Sequence, residues 1–285
     1  MNPSIALGGR VAASLVRTVL PLSLRKRAAI WIGQQGWVPD RQWRALHLIR
    51  DLAERDPEAY HRFLWSHHLA YAESYEPEMR FGPANIRPER HLLFQILPSV
   101  LSQDASGRDI QSVLEVGCSL GHLLRFIETD VFPAAQVLEG LDIDEYAVAS
   151  GNDWLRRQGS KVRLIAADMT RMDDVLGPEK MYDIVLCAGV LMYLKEEQAA
   201  GVVDSMLRRT RRLLVLSGLS HPDFDNRELF RSEPRPTDGA FRHNLDAMVR
   251  RCGEKVLYRR WDATAPPGWN PPYFVFCTRR SASNP

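Results

Sequence analysis

The chain has 285 residues, of which 45% are hydrophobic and 25% are charged, and its formal net charge is +2. These values are those of an ordinary globular protein with one large domain, or one domain and a substantial extension. A net charge near zero does not favour nucleic acid as the partner. The cysteines are far apart and show no C-x-x-C spacing, which favours free thiols in the cytoplasm: Cys118, Cys187, Cys252 and Cys277.

The first 39 residues contain five basic residues and no acidic one. Between Arg10 and Leu20 the apolar residues recur at helical spacing with polar residues opposite, which predicts a basic amphipathic helix. Such a helix could pack on the rest of the protein, lie on an anionic membrane surface, or belong to a transit peptide. No apolar stretch of the sequence is long enough to span a membrane. We therefore expect a cytoplasmic protein, with peripheral contact at the inner membrane surface as an open alternative.

Residues 1–105 are predicted to form a helical extension. Asp40 is placed to cap a stretch with apolar residues on one helical side, and this stretch ends at Asp56-Pro57. Another helix opens at Arg87 and is predicted to break at Pro98.

The strongest functional signal runs from Val113 to Phe126. A short apolar strand leads into the pattern E-x-G-x-x-x-G, formed by Glu115, Gly117 and Gly121, and then into a helix. Glycine at these positions allows a tight bend and a close approach of the backbone to a ligand. The spacing differs from the G-x-G-x-x-G of dinucleotide-binding folds. Because Glu115 would repel a pyrophosphate, the pattern favours a cationic, nucleotide-like cofactor.

Three further apolar runs follow along the chain, and two of them end in an aspartate. Residues 137–144 and 162–169 end around Asp142 and Asp168, and the third run covers residues 182–194. Ligands of open α/β sheets bind outside the carboxyl ends of the strands, which is where both aspartates are expected. Either aspartate taken alone would more often be a helix N-cap.

This succession of motifs resembles the class I S-adenosylmethionine-dependent methyltransferases of the small-molecule or saccharide type. The resemblance implies an α/β fold with a Rossmann-like, doubly wound, seven-stranded and mostly parallel sheet whose last strand is antiparallel. It places the methyltransferase domain at residues 106–280 and makes residues 1–105 an N-terminal helical lid over the acceptor site. A lid would exclude water and hold the reactants in line.

The resemblance also implies how S-adenosylmethionine, the cofactor of the family, is held. Asp142 matches the carboxylate that accepts hydrogen bonds from both ribose hydroxyls, and Asp168 matches the one that receives the adenine amino group. Arg90 precedes the first strand, where an arginine pairs with the cofactor's carboxylate in some relatives, although a solvated surface arginine fits equally well. The other positions implied to contact the cofactor are Glu115, Gly117, Cys118, Gly121, Ile143, Met169, Cys187 and Ala188.

A base is needed if the acceptor is an alcohol, because its proton must leave during attack. Histidine suits that role at neutral pH. His221 and His243 lie on loops at the predicted acceptor edge, where each could instead be a loop or helix-cap residue. An amine or thiolate acceptor would need no dedicated base. No ligand pattern in the sequence predicts a metal site.

We therefore expect an S-adenosylmethionine-dependent methyltransferase that O-methylates a small molecule or a sugar-containing metabolite. N-methylation of an amine or peptide is the nearest alternative, and a non-catalytic scaffold with the same fold is another. A nucleic-acid substrate is not expected, because Asn270-Pro271-Pro272-Tyr273 lies in the final hairpin and not after the fourth strand, where a base-flipping enzyme would need it. The sequence leaves oligomer formation open.

Overall fold

The computed structural model describes residues 20–70, 81, 86–102 and 109–278. Apart from Leu20, the predicted basic amphipathic helix lies outside these ranges, as does the predicted domain boundary at residues 105 and 106. Within the described ranges, no helix is both long enough and apolar enough to cross a membrane.

The described residues form nine strands, which in chain order are β1 (Ser112–Val116), β2 (Val137–Asp142), β3 (Val162–Ala166), β4 (Tyr182–Ala188), β5 (Thr210–Ser217), β6 (Glu233–Pro234), β7 (Phe241–Arg242), β8 (Lys255–Trp261) and β9 (Tyr273–Thr278). Seven of them build one sheet in the order β3-β2-β1-β4-β5-β9-β8, and β6 pairs with β7 separately. β1 to β5 are parallel, whereas β9 runs antiparallel to both of its neighbours. The predicted seven-stranded, mostly parallel sheet with an antiparallel last strand is confirmed.

The described helices are, in chain order, α1 (Leu22–Gln34), α2 (Arg41–Leu48), α3 (Arg50–Arg55), α4 (Pro57–Ser66), α5 (Pro88–Leu101), α6 (His122–Phe126), α7 (Glu145–Arg157), α8 (Met172–Leu176), α9 (Glu196–Arg208) and α10 (Leu245–Arg251). Two local expectations were wrong. α5 does not break at Pro98 but continues to Leu101, because Leu97 and Val100 are buried in the hydrophobic core and hold the last turn in place despite the lost proline N–H. Asp40 makes no capping hydrogen bond to a described residue, whereas Asp56 caps α4 by accepting from the Ala59 amide at 3.3 Å.

Hydrophobic side chains cover both faces of the sheet, because alternate residues of a strand point to opposite sides. In β1, Val113 packs on one face together with Leu93 of α5 and Leu124 of α6. Leu114 packs on the other face together with Val203 of α9. β1 is buried along its whole length, as expected of a parallel strand covered on both faces. The parallel arrangement brings the turns after β1 to β5 together at one edge of the sheet.

The N-terminal helices α1 to α4 enclose a separate hydrophobic cluster and dock on that same edge. Asp56 pairs with Lys195, in the segment after β4, at 3.0 Å. His68 Nδ1 lies 2.6 Å from Asp144 Oδ2, in the turn after β2. The N-terminal helices therefore cover the ends of strands in the centre of the sheet.

Two helical glycines allow a matched test of how closely α7 approaches the turn after β1. A Cβ at Gly151 of α7 would lie 2.4 Å from the carbonyl oxygen of Leu120, whereas a Cβ at Gly201 of α9 meets no described atom within 4 Å. Gly151→Ala should lower the free energy of unfolding by about 1–3 kcal/mol through overpacking. Gly201→Ala should raise it by about 0.5–1 kcal/mol through helix propensity. Urea unfolding followed by circular dichroism measures both values, and equal effects would contradict the close approach.

Candidate functional site

A cavity of about 540 Å³ opens at the edge where β1 to β5 end. Its walls come from the turns after these strands, from α4 and α5, and from the loop before β9. Ligands of doubly wound sheets bind in this position, and the size is that of a small-molecule site.

The turn after β1 approaches its neighbours so closely that it requires glycine. Gly117 and Gly121 have φ values of 79° and 80°. A Cβ at Gly117 would lie 2.3 Å from Val190 Cγ2, and one at Gly121 would lie 2.8 Å from Leu164 Cδ2. The Gly117 amide donates to the Leu141 carbonyl at 2.7 Å. The turn is therefore fixed against the end of β2, and its backbone lies beside the cavity.

Asp142, at the end of β2, lies in the cavity wall, where the sequence predicted a cofactor contact. Its Oδ2 accepts from the Ser119 amide at 2.6 Å, and its Oδ1 accepts from the Asp144 amide at 2.9 Å. Burial raises the pKa of Asp142 to about 6, although these hydrogen bonds oppose the shift. Each carboxylate oxygen keeps a second lone pair, so the side chain can still accept from two hydroxyl groups of a ligand.

Arg90 and Glu115 bring opposite charges to the cavity wall. Arg90 Nη2 donates to the Ala188 carbonyl at 2.6 Å. Arg90 Nη1 and Glu115 Oε2 are buried and lack a hydrogen-bond partner among the described residues. Burial lowers the pKa of Arg90 and raises that of Glu115, and their mutual attraction opposes both shifts. A buried donor and a buried acceptor in one wall can together bind a ligand that carries both charges.

Asp168, after β3, also lines the cavity but is already engaged by the N-terminal helices. Its Oδ2 accepts from Arg62 Nη1 of α4. Its Oδ1 accepts from the amide and the hydroxyl of Thr170, at 2.9 and 2.8 Å. The Asp168 carboxylate, which was predicted to receive an adenine amino group, therefore already accepts from the Arg62 guanidinium. A nucleoside bound there would have to share this oxygen with Arg62 or displace the guanidinium.

The remaining predicted contact residues fall into two groups. Gly117, Ile143, Met169 and Ala188 are part of the cavity wall, whereas Cys118, Gly121 and Cys187 are not part of the wall that the described residues form. The two thiols are buried in the hydrophobic layers, and burial raises the pKa of each. Cys118 and Gly121 belong to the turn after β1, and Cys187 belongs to β4.

The structure places His221 and His243 outside the cavity wall formed by the described residues. His221 Nδ1 accepts from the Asp223 amide at 3.2 Å, and its Nε2 lies 2.9 Å from Glu233 Oε1. His243 is bonded through Nδ1 to the Ser232 hydroxyl at 2.7 Å and through Nε2 to the Leu191 carbonyl at 3.0 Å. Burial lowers the pKa of His243, in keeping with a neutral ring. A base role for either histidine stays a prediction that these contacts do not favour.

Glu89 is a cavity residue that the sequence analysis missed. Its side chain is buried, and its Oε1 accepts from Asn270 Nδ2 at 2.9 Å. Its Oε2 is buried and has no partner within the described part of the chain. In the sequence, Glu89 looks like an ordinary acidic residue in the first turn of a helix. Nothing in the local sequence indicates that it contacts the final hairpin. Glu89 therefore adds to the cavity wall a carboxylate oxygen that the sequence analysis did not predict.

No group of three or more histidine, cysteine, aspartate or glutamate side chains placed to hold a metal ion occurs in the described ranges.

Comparisons with known proteins agree with this geometry. Residues 113–213 match a family model described as a methyltransferase domain. The structure is similar to magnesium protoporphyrin IX methyltransferase from Synechocystis PCC 6803 with bound S-adenosylmethionine, at 16% identity and a TM-score of 0.52, covering 79% of this chain and 97% of that one. It is also similar to 1,6-didemethyltoxoflavin-N1-methyltransferase from Burkholderia thailandensis with bound 1,6-didemethyltoxoflavin and S-adenosylhomocysteine, at 17% identity and a TM-score of 0.52, covering 77% and 89%. No curated protein sequence matches the chain.

The strand order and the cavity at the strand ends define the Rossmann-like fold of class I methyltransferases, and the matched segment runs from β1 into β5. Residues 113–213 carry a methyltransferase domain, and the chain has the class I methyltransferase fold. The family resemblance drawn from the four sequence motifs is confirmed.

Cofactor binding should depend on pH because of Asp142. Charge-assisted hydrogen bonds require its ionised form, and its pKa in the free protein is about 6. The affinity for S-adenosylhomocysteine should therefore be constant well above this pH and weaken below it, approaching about tenfold per pH unit. Isothermal titration calorimetry over a pH series measures the profile.

Two variants of Asp142 serve as controls for that profile. Asp142→Ala should weaken binding at neutral pH by about 1–3 kcal/mol. Asp142→Asn should flatten the profile. A profile that keeps its shape in Asp142→Asn would assign the titration to another group, such as Glu115.

Removing the contact between Arg62 and Asp168 should tighten cofactor binding. Arg62→Gln frees a carboxylate oxygen from a partly exposed ion pair worth about 1 kcal/mol, which corresponds to roughly fivefold in Kd. Calorimetry with S-adenosylhomocysteine measures the change. Arg157→Gln, which breaks an exposed pair with Asp153 on α7, is the control and should leave the Kd unchanged. Weaker binding by Arg62→Gln would mean that Arg62 contacts the nucleoside directly.

Proposed function

We propose that the protein transfers a methyl group from S-adenosylmethionine to a hydroxyl oxygen of a small molecule or sugar-containing metabolite. The observation that carries the proposal is the unsatisfied buried pair in the cavity wall, Arg90 Nη1 and Glu115 Oε2, for which the described residues supply no partner. The amino-acid end of the cofactor carries a carboxylate and an ammonium group, which together satisfy both atoms.

The other cavity residues also fit S-adenosylmethionine. Asp142 offers two carboxylate oxygens to the ribose diol, and Ile143 and Met169 offer apolar surface to a nucleobase. Asp168 can receive the adenine amino group once Arg62 shares or releases its oxygen. When bound, the cofactor supplies a methyl group activated by attachment to a sulfonium. The chain has to hold the acceptor in line and receive its proton.

We assign the acceptor's proton to Glu89. Asn270 fixes Glu89 Oε1, so the orientation of the carboxylate is set before a ligand arrives. Glu89 Oε2 can then accept a hydrogen bond from the acceptor hydroxyl and take the proton as the oxygen attacks. The engaged ring nitrogens of His221 and His243 support Glu89 over either histidine.

The rest of the wall supports a small acceptor. Trp65, Tyr193 and Pro222 give it apolar and aromatic surface, and Ser217, Ser220 and Arg242 add polar groups that can orient an acceptor. The two neighbours named above are methyltransferases of magnesium protoporphyrin IX and of 1,6-didemethyltoxoflavin, which agrees with a small-molecule acceptor. The second is an N1-methyltransferase, so a nitrogen acceptor is the alternative, and Glu89 could accept from an N–H group equally well.

We also propose that the N-terminal helices act as a lid over the cavity. α4 supplies Arg62 and Trp65 to the cavity wall, and its contact with Asp168 puts the lid over the adenine end as well as the acceptor end. Closure of these helices would exclude water from the donor.

A cytoplasmic location is part of the proposal. All four cysteines are free, and three of them are buried, which suits a reducing compartment.

A labelled methyl group tests the proposed function directly. Purified protein, cell extract and S-adenosylmethionine with a deuterated methyl group should yield a labelled small molecule, identified by mass spectrometry. Glu89→Gln should slow the transfer by about 10²-fold or more because the base is lost, and should leave the Kd for S-adenosylhomocysteine unchanged. Asn270→Ala should slow the transfer less, because it removes only the hydrogen bond that orients Glu89.

Glu197→Gln on the exposed side of α9 is the matched control and should change neither quantity. Full transfer by Glu89→Gln would contradict the base assignment. Failure of the unaltered protein to bind S-adenosylmethionine would contradict the enzyme itself and favour a scaffold.

A further inference from the structure

Three tryptophans are exposed at one end of the pair formed by α1 and α2. Trp31 near the end of α1, Trp37 in the turn and Trp43 near the start of α2 are 55%, 73% and 45% exposed. The rings of Trp31 and Trp37 meet edge to face with centroids 6.3 Å apart. We refer to Trp31, Trp37 and Trp43 as the tryptophan tip.

The tryptophan tip plays no part in the cluster that holds α1 and α2 together. That cluster contains Ala29 and Ala45, which are fully buried. Ala29 and Trp31 are two residues apart on one helix, as are Trp43 and Ala45 on the other, and residues at this spacing point to nearly opposite sides. The tip therefore faces outward while the alanines face the cluster.

The apolar surface continues from the tip along α1. Leu24 lies two helical turns before Trp31 on the same side, and it is exposed. Leu20, just before α1, is exposed as well. Aromatic and aliphatic side chains thus form one outward-facing surface on this helix. An apolar surface of this kind marks an interaction site more often than a scattered exposed residue does.

The charges on this part of the chain are one-sided. Residues 1–50 contain eight basic residues and one acidic residue, a net charge of +7. Residues 51–285 contain 29 basic and 34 acidic residues, a net charge of −5. Arg27 on α1 and Arg44 on α2 are exposed beside the apolar surface. Arg25, one of the eight, is buried and paired with Asp51, and the other basic residues leave this end of the chain with a net positive charge that favours anionic surfaces.

We propose that the tryptophan tip, with Leu20, Leu24 and the exposed arginines beside it, is a docking surface for an anionic lipid bilayer. Tryptophan favours the boundary between headgroups and acyl chains, because its ring is apolar and its N–H is polar. The leucines fit acyl chains, whereas a single-stranded nucleic acid offers bases for stacking but no aliphatic phase. The arginines match the negative headgroups of the cytoplasmic leaflet.

This surface is distinct from the cavity, whose wall includes none of the three tip residues. The two are nevertheless connected, since Trp65 packs against the same hydrophobic cluster that holds α1 and α2 and also lines the cavity. The proposal does not depend on which acceptor is methylated.

Vesicle flotation with the full chain tests the proposal. Vesicles of phosphatidylcholine with added phosphatidylglycerol should bind the protein. Vesicles of phosphatidylcholine alone should bind it at least about tenfold more weakly. Added salt should weaken the binding to the anionic vesicles. The triple variant Trp31→Ser, Trp37→Ser and Trp43→Ser should lose about tenfold or more in partitioning.

Phe230→Ser is the matched control, because Phe230 is 87% exposed and lies outside the tip. It should bind anionic vesicles as the unaltered chain does. Calorimetry with S-adenosylhomocysteine should give the same Kd for the triple variant and the unaltered chain, which shows that the methyltransferase site is intact and separates this test from that of the proposed function.

Several results would overturn the proposal. Absence of binding to anionic vesicles would do so, as would equal binding by the triple variant. Loss of binding in Arg10→Gln with Arg17→Gln, while the triple variant still binds, would assign the contact to the segment that precedes the described residues. Two further results would assign the surface to another partner if vesicles are not bound. Self-association that depends on the tip, measured by sedimentation velocity, would assign it to a second copy of the chain. Binding of single-stranded RNA that depends on the tip would assign it to nucleic acid.

Discussion

The hydrogen bonds between the turn after β1 and the end of β2 determine the shape of the donor site. The Leu141 carbonyl accepts from the Gly117 amide at 2.7 Å, and the Asp142 carboxylate accepts from the Ser119 amide at 2.6 Å. Both bonds depend on left-handed backbone, with φ of 79° at Gly117 and 51° at Ser119. Ser119 holds this conformation at a strain of about 1–2 kcal/mol. The turn can come this close to Val190 only without a side chain at position 117.

Two buried groups without a partner among the described residues make the cavity wall a favourable place for a ligand. A buried polar atom without a partner destabilises the free protein by about 1–3 kcal/mol. Arg90 Nη1 and Glu115 Oε2 both carry this penalty as far as the described residues show. A ligand that satisfies both atoms recovers it, so the folded state and the bound state are thermodynamically linked.

The sequence was sufficient for the sheet and for the position of Asp142 at the end of β2, because apolar runs that end in glycine or aspartate leave a local signal. It was insufficient for Glu89, whose place in the cavity wall is fixed by a hydrogen bond from Asn270, 181 residues further along the chain. It also favoured His221 and His243 by residue type alone, whereas the structure shows that both rings are held by hydrogen bonds. Contacts between distant segments of one chain cannot be read from local patterns.

The position of β9 between β5 and β8 sets an order in which the two halves of the cavity can be completed. The turns after β1 to β4 belong to the earlier part of the chain. Asn270 and β9 are synthesised later, near the end of translation. Before Asn270 has been synthesised, Glu89 Oε1 lacks the amide that donates to it in the folded protein. Until then the edge of β5 is an unpaired strand, open to pairing with another polypeptide. A prematurely terminated product would keep that edge exposed, which makes it a target for chaperones and proteases.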